Sequence, residues 1–104
     1  MATLNNLSPL DVARALEAGE AVLVDVREPH EFASEHIAGA VNMPLSSFHP
    51  SELPDGGPPV ILQCAAGVRS VRAWEACQAA GVDVGSHMAG GIKAWIAAGL
   101  PVER

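Results

Sequence analysis

Two unbroken apolar stretches set the limits on what this chain can become. Ala21-Val22-Leu23-Val24-Asp25-Val26 and Val60-Ile61-Leu62 show no apolar–polar alternation, so a strand built from either must be covered on both faces. Helix signals fall around them. Ser8-Pro9-Leu10-Asp11 is an entry signal, with Ser8 as cap, Pro9 in the first turn and Asp11 at the reciprocal box position. Pro9, Val12, Ala13 and Leu16 then share one face, and Gly19 is a stop. A short helix is expected from Pro29 to Glu35 with Phe32 inward, and another from Gly67 to Ala80, ended by Gly81. A last helix puts Ile92, Trp95 and Ile96 on one face and ends at Gly99. Shorter strands are expected at Val41-Asn42-Met43 and Val82-Asp83-Val84, and a brief helix near Phe48 to Leu53 in the Ser-, Pro- and Gly-rich stretch 46–59. Strands alternating with helices through short loops require a parallel sheet between helical layers. The expectation is an α/β three-layer sandwich, one domain over residues 1–104 with its core at about 7–101.

Composition narrows the class of partner. A hydrophobic content of 49% with 17% charged residues argues against disorder. The apolar runs are too short to span a membrane. Met1 to Asn6 contains no basic residue and no long apolar region, which argues against a secretory leader. A formal charge of −6 gives little attraction for nucleic acid or anionic lipid. Any bound anion must therefore be held by a local positive site.

Two cysteines do not make a disulfide framework. Cys77 would lie about nine residues up the helix that follows Cys64, roughly 14 Å along its axis, whereas a disulfide needs Cα atoms within roughly 7 Å. Two free thiols suit a reducing compartment, and the cytoplasm is the expected location.

The chemistry concentrates in Val60-Ile61-Leu62-Gln63-Cys64-Ala65-Ala66-Gly67-Val68-Arg69-Ser70. An apolar strand ends on a cysteine, a small glycine-containing loop follows, and an arginine opens a helix. Ligands of parallel α/β sheets sit beyond strand carboxyl ends, where N–H groups at a helix start attract anions. A thiol placed there gains thiolate character. A strand cysteine is usually a small core side chain. Here Ala65, Ala66 and Gly67 add no bulk to shield it, and a glycine lets successive N–H groups turn inward as an anion nest. Cys64 is thus the candidate nucleophile, with Ala65, Ala66, Gly67, Val68, Arg69 and Ser70 as its binding loop.

Arg69 is a cation in the first turn of a helix, which the macrodipole disfavours. A carboxylate or a bound anion should compensate it. Asp25 and Glu31 are the available carboxylates, and with Arg27 they are the supporting residues of the site. Cys77 has neither loop nor cation beside it and reads as inert packing, as do Trp74 and Trp95. His30 and His36 could approach the loop mouth, but no histidine pair has metal-ligand spacing. No metal is expected.

Three blocks together give the chain a resemblance to the rhodanese-like domain family. They are Leu23 to Phe32 continuing through His36-Ile37-Ala38-Gly39-Ala40-Val41-Asn42-Met43-Pro44, then Cys64 to Ser70, then Gly90-Gly91-Ile92-Lys93-Ala94-Trp95 with Gly99-Leu100-Pro101 behind. The resemblance implies a central, mainly parallel five-stranded sheet flanked by helices. It also implies sulfur transfer: Cys64 takes the outer sulfur of a donor such as thiosulfate as a persulfide and passes it to a thiol, a thioredoxin-like protein or cyanide. No cofactor is required by that chemistry. Two other uses of the fold stand beside it. A non-catalytic binding module would leave the loop residual, although inactive relatives often lose the cysteine. A phosphatase of the same fold carries five residues between cysteine and arginine, whereas four, Ala65 to Val68, lie between them here.

Overall fold

The computed structural model describes residues 3–104; Met1 and Ala2, on which the leader reading partly rests, lie outside the described residues. Five strands form one sheet: β1 (Asn5–Leu7), β2 (Val22–Asp25), β3 (Val41–Asn42), β4 (Val60–Gln63) and β5 (Ser86–Met88). Their order is β1-β5-β4-β2-β3, and every pairing is parallel. The central β4 sets Val60 to Gln63 against Val22 to Asp25 on one side and Ile61 and Leu62 against Ser86 and His87 on the other.

Alternation along the buried strands sends neighbouring side chains to opposite faces. Val24, Val26 and Leu62 pack with Ala73 and Cys77 of α3 (Arg69–Ala79). Leu23 and Ile61 pack with Val12 of α1 (Pro9–Glu17) and with Ile92 and Trp95 of α4 (Gly91–Ala97). The three layers are thus the expected ones. The α1 entry forms as read: Ser8 Oγ accepts the Asp11 N–H at 3.1 Å, and the Asp11 carboxylate accepts the Ser8 N–H at 3.4 Å. Between β2 and β3 runs α2 (Pro29–Ser34), with Phe32 half-buried.

Several local expectations differ from the structure. Val82 to Val84 is not a strand; Val84 is buried against the α3 layer, and the ladder is made by Ser86–Met88 instead. Apolarity marked burial there, whereas pairing is decided by which segment lies between β1 and β4. The edge strand β1 gives no sequence signal, since Asn5 and Asn6 are exposed polar residues. The brief helix near Phe48 to Leu53 is two 3-10 turns, Leu45–Ser47 and Pro50–Glu52. Ile96 is 40% exposed, off the face that buries Ile92 and Trp95. Among the described residues, no helix is long and apolar enough to cross a membrane.

Candidate active site

Strand β4 delivers Cys64 to the carboxyl edge of the sheet, where α3 begins. The helix starts at Arg69 rather than Gly67 because residues 65–68 curl around the sulfur. Cys64 Sγ accepts the Gly67 N–H at 3.1 Å and the Ser70 N–H at 3.3 Å, and lies 3.6 Å from Ser70 Oγ. Gly67 makes this curl with φ of 96°, a conformation that disfavours side chains. Burial pushes the Cys64 thiol up, but the Ser70 hydroxyl and the N–H groups of Ser70, Gly67 and Ala66 outweigh it, leaving the group more acidic than an ordinary thiol.

Small residues after Cys64 do not leave it open, contrary to the sequence expectation. The residue is only 1% exposed, because the loop backbone itself closes over the sulfur. The carbonyls on either side of the loop entry are held from the far layer. Ile92 N–H donates to Cys64 O at 2.9 Å and Lys93 N–H to Ala65 O at 3.1 Å. That approach explains the glycine pair: a Cβ at Gly91, which has φ of 61°, would collide with the Cys64 carbonyl and the Ala65 backbone. Gln63 Nε2 adds a further bond to Cys64 O at 2.7 Å.

Of the two carboxylates considered for Arg69, Glu31 is the partner. The pair is bidentate, Nη1 to Oε1 at 2.6 Å and Nη2 to Oε2 at 3.0 Å. Glu31 also accepts the Glu28 N–H at 2.9 Å, closing the first turn of α2. The Arg69 guanidinium, against a smaller opposing effect of burial, brings the Glu31 pKa down to about 2. Asp25 does not reach Arg69; it is buried in a pair with Arg27, whose Nη2 lies 2.8 Å from Asp25 Oδ2 and also donates to Glu35 O at 2.8 Å. This pair ties the end of β2 to the end of α2, and so fixes the helix that presents Glu31. Cys77 is fully buried, free and pushed up by burial, as packing requires.

Two residues near Cys64 escaped the sequence reading. Neither His30 nor His36 reaches the loop: His30 is exposed, and His36 stacks on Phe32 and lies 3.3 Å from Glu103. The histidine at the site is His87, buried on β5, with Nδ1 2.7 Å from Ser70 Oγ and Nε2 2.6 Å from Asn6 Oδ1. Its signal was a polar residue shortly before Gly90-Gly91, unreadable without β1 to supply Asn6. Lys93 is the other. It lines a hollow of about 250 Å³ beside the loop, together with Ala65, Glu31 and Ile96. A larger hollow, about 510 Å³, lies at the opposite edge of the sheet among Leu53, Val60 and Val84, away from Cys64.

A parallel α/β sheet whose central strand ends in a buried cysteine ringed by backbone N–H groups defines a class of domains. Within that class the chain belongs to the rhodanese-like domain family, whose pattern matches residues 8–98. It is 41% identical over 96 residues to an uncharacterized protein of Synechocystis sp., covering 91% of this chain but only 54% of that relative's length. It is 30% identical over 102 residues to the thiosulfate sulfurtransferase GlpE of Haemophilus influenzae, covering 97% of this chain and 96% of the relative. Among solved structures, a rhodanese-related protein from Thermoplasma volcanium superposes with a TM-score of 0.81 at 29% identity, over 95% of this chain and 97% of that one.

Proposed function

We propose that the protein is a sulfurtransferase in which Cys64 carries the transferred sulfur. The Cys64 thiolate attacks the outer sulfur of thiosulfate; the S–S bond of the donor breaks, sulfite leaves with the electron pair, and Cys64 becomes a persulfide. A small thiol, a thioredoxin-like thiol or cyanide then attacks the outer persulfide sulfur and returns the thiolate. The observation that carries this reading is the set of N–H donors already converging on Cys64 Sγ. Such donors stabilise a negative sulfur by the same electrostatics as an oxyanion hole. A persulfide extends the anion one atom further into the loop, so its ring must shift outward as sulfur loads. Similarity to GlpE supports thiosulfate as donor, and the Lys93 ammonium beside the loop supplies attraction for a dianion that the net charge of the chain opposes. Two free thiols fit a reducing, cytoplasmic setting.

A second reading, a docking module with a residual loop, draws on the 1% exposure of Cys64. Turnover decides between them. Thiosulfate and cyanide should yield thiocyanate with the wild-type protein and none with Cys64→Ser. A wild type that forms neither thiocyanate with cyanide as acceptor nor sulfide with thiols as acceptor would favour the docking module.

A further inference from the structure

Behind the Cys64 loop lies a chain of side chains that the sulfur-transfer chemistry does not itself require. It runs from Cys64 Sγ to Ser70 Oγ at 3.6 Å, from Ser70 Oγ to His87 Nδ1 at 2.7 Å, and from His87 Nε2 to Asn6 Oδ1 at 2.6 Å. Cys64, Ser70 and His87 are all buried, while Asn6 is exposed on β1. Three elements converge to make it, since β1 and β5 are paired with Asn6 opposite His87, and β5 pairs with β4 with Leu62 opposite His87.

With the Asn6 oxygen turned to the ring, the neutral network has a definite order of donors and acceptors. Asn6 presents its oxygen to Nε2, so Nε2 carries the ring proton and Nδ1 is an acceptor. Ser70 then donates its only hydroxyl proton to Nδ1, and its oxygen is free to accept the Cys64 S–H. We propose that His87 is the proton acceptor for Cys64, acting through the Ser70 hydroxyl, and that Asn6 fixes the tautomer that makes this possible. In the step, the Cys64 S–H bond breaks and its proton passes to Ser70 Oγ. The original Ser70 proton passes to His87 Nδ1. The products are a thiolate and an imidazolium, with Ser70 unchanged in composition and no co-reactant consumed. After the step Ser70 O–H points back at the sulfur, beside the Gly67 and Ser70 N–H groups, and both imidazolium protons have acceptors in Ser70 Oγ and Asn6 Oδ1.

The surroundings suit this role. The strands β1 and β5 carry no charged side chain besides His87, and β4 carries none. On α3, Arg72 and Glu75 are exposed, and Arg69 is held by Glu31. Cys64 is therefore the titratable group that faces His87 through Ser70. Burial depresses the His87 pKa, so the ring is neutral before the step, and its protonated form depends on the thiolate formed alongside it to balance the charge. A closed loop over a 1% exposed thiol also keeps bulk water from acting as the base.

The inference rests on reading Cys64 as the nucleophile, and it deepens that reading by naming the base. Its test uses no sulfur donor: the rate of Cys64 alkylation by iodoacetamide between pH 5 and 10, with Cys77 replaced by Ala in every protein. In the wild type, a thiolate–imidazolium form should sustain reaction below the thiol's own titration. His87→Asn should lose this, reacting about tenfold or more slowly at pH 6 and converging on the wild type near pH 10, where Cys64 is ionised in both. Profiles that superimpose, or that differ by one constant factor across the range, would overturn the relay. Should His87→Asn fail to fold, Asn6→Asp at the exposed end decides instead. A carboxylate on Nε2 makes the ring a stronger base, so the rate at pH 6 should rise several-fold; an unchanged or lower rate would overturn the proposal. Failure to load sulfur from thiosulfate would refute the proposed function and leave this result standing.

Discussion

Replacing Glu31 by Gln tests whether the Arg69 pair is what steadies the loop. The substitution keeps the shape and one hydrogen-bonding oxygen but removes the charge from a bidentate contact of 2.6 and 3.0 Å. Arg69 holds the Glu31 pKa at about 2, against 4.5 for the free group. That depression sets an upper limit of about 3 kcal/mol. The two side chains are 27% and 30% exposed, and solvent screening reduces the expected loss to about 1 kcal/mol. A folded-state pKa below the unfolded one stabilises above the unfolded value, and this stabilisation disappears as pH falls through the folded value. The cost of Glu31→Gln should therefore be full at pH 7, about half as large at pH 3 and nearly gone at pH 2. Urea unfolding at pH 7 and pH 3 measures it, with a melting-temperature drop of about 5 °C expected at pH 7. Arg69→Gln should cost a similar amount, and the double variant little more than either single one. No loss at pH 7, or an equal loss at both pH values, would refute the assignment.

Other consequences follow from the same geometry. The thiol should show an alkylation midpoint below the free value of about 8.5, and Arg69→Ala should raise it by exposing the sulfur to an uncompensated Glu31 carboxylate. Gly91→Ala should destabilise the fold by more than about 2 kcal/mol in urea unfolding, since the added methyl meets the backbone of Cys64 and Ala65 and the positive φ opposes it. Lys93→Glu should raise the KM for thiosulfate several-fold with little change in kcat, while cyanide as acceptor should be affected less, as steady-state kinetics with each substrate varied would show.

How legible all this was in the sequence depended on the range of the interactions. The buried strands Val22–Asp25 and Val60–Gln63 were readable because two-sided burial demands an unbroken apolar run. The Ser8–Asp11 box was readable because it is local. Cys64 and its loop were readable as a pattern of residue types, and Glu31 as one of two candidate partners for Arg69. What escaped was settled between distant elements. An edge strand that starts Asn5-Asn6 has no propensity to announce it; it forms because β5 offers it a ladder. Without β1 there is no partner for His87 Nε2, and without the crossover from α3 there is no reason to place Ser70 beside that ring. The closure over Cys64 escaped for another reason. Side-chain size does not measure shielding here, because the backbone of residues 65–68 does the covering.

The central claim, that Cys64 itself carries the transferred sulfur, is tested most directly by intact-protein mass spectrometry after incubation with thiosulfate under non-reducing conditions. The wild type should gain the mass of one sulfur atom, lose it on adding cyanide or a thiol, and show the modification on the peptide containing Cys64. Cys77→Ala should load as fully, and Cys64→Ser should not load at all. A wild-type mass unchanged at high thiosulfate concentration, or sulfur found on Cys77 instead, would contradict the account.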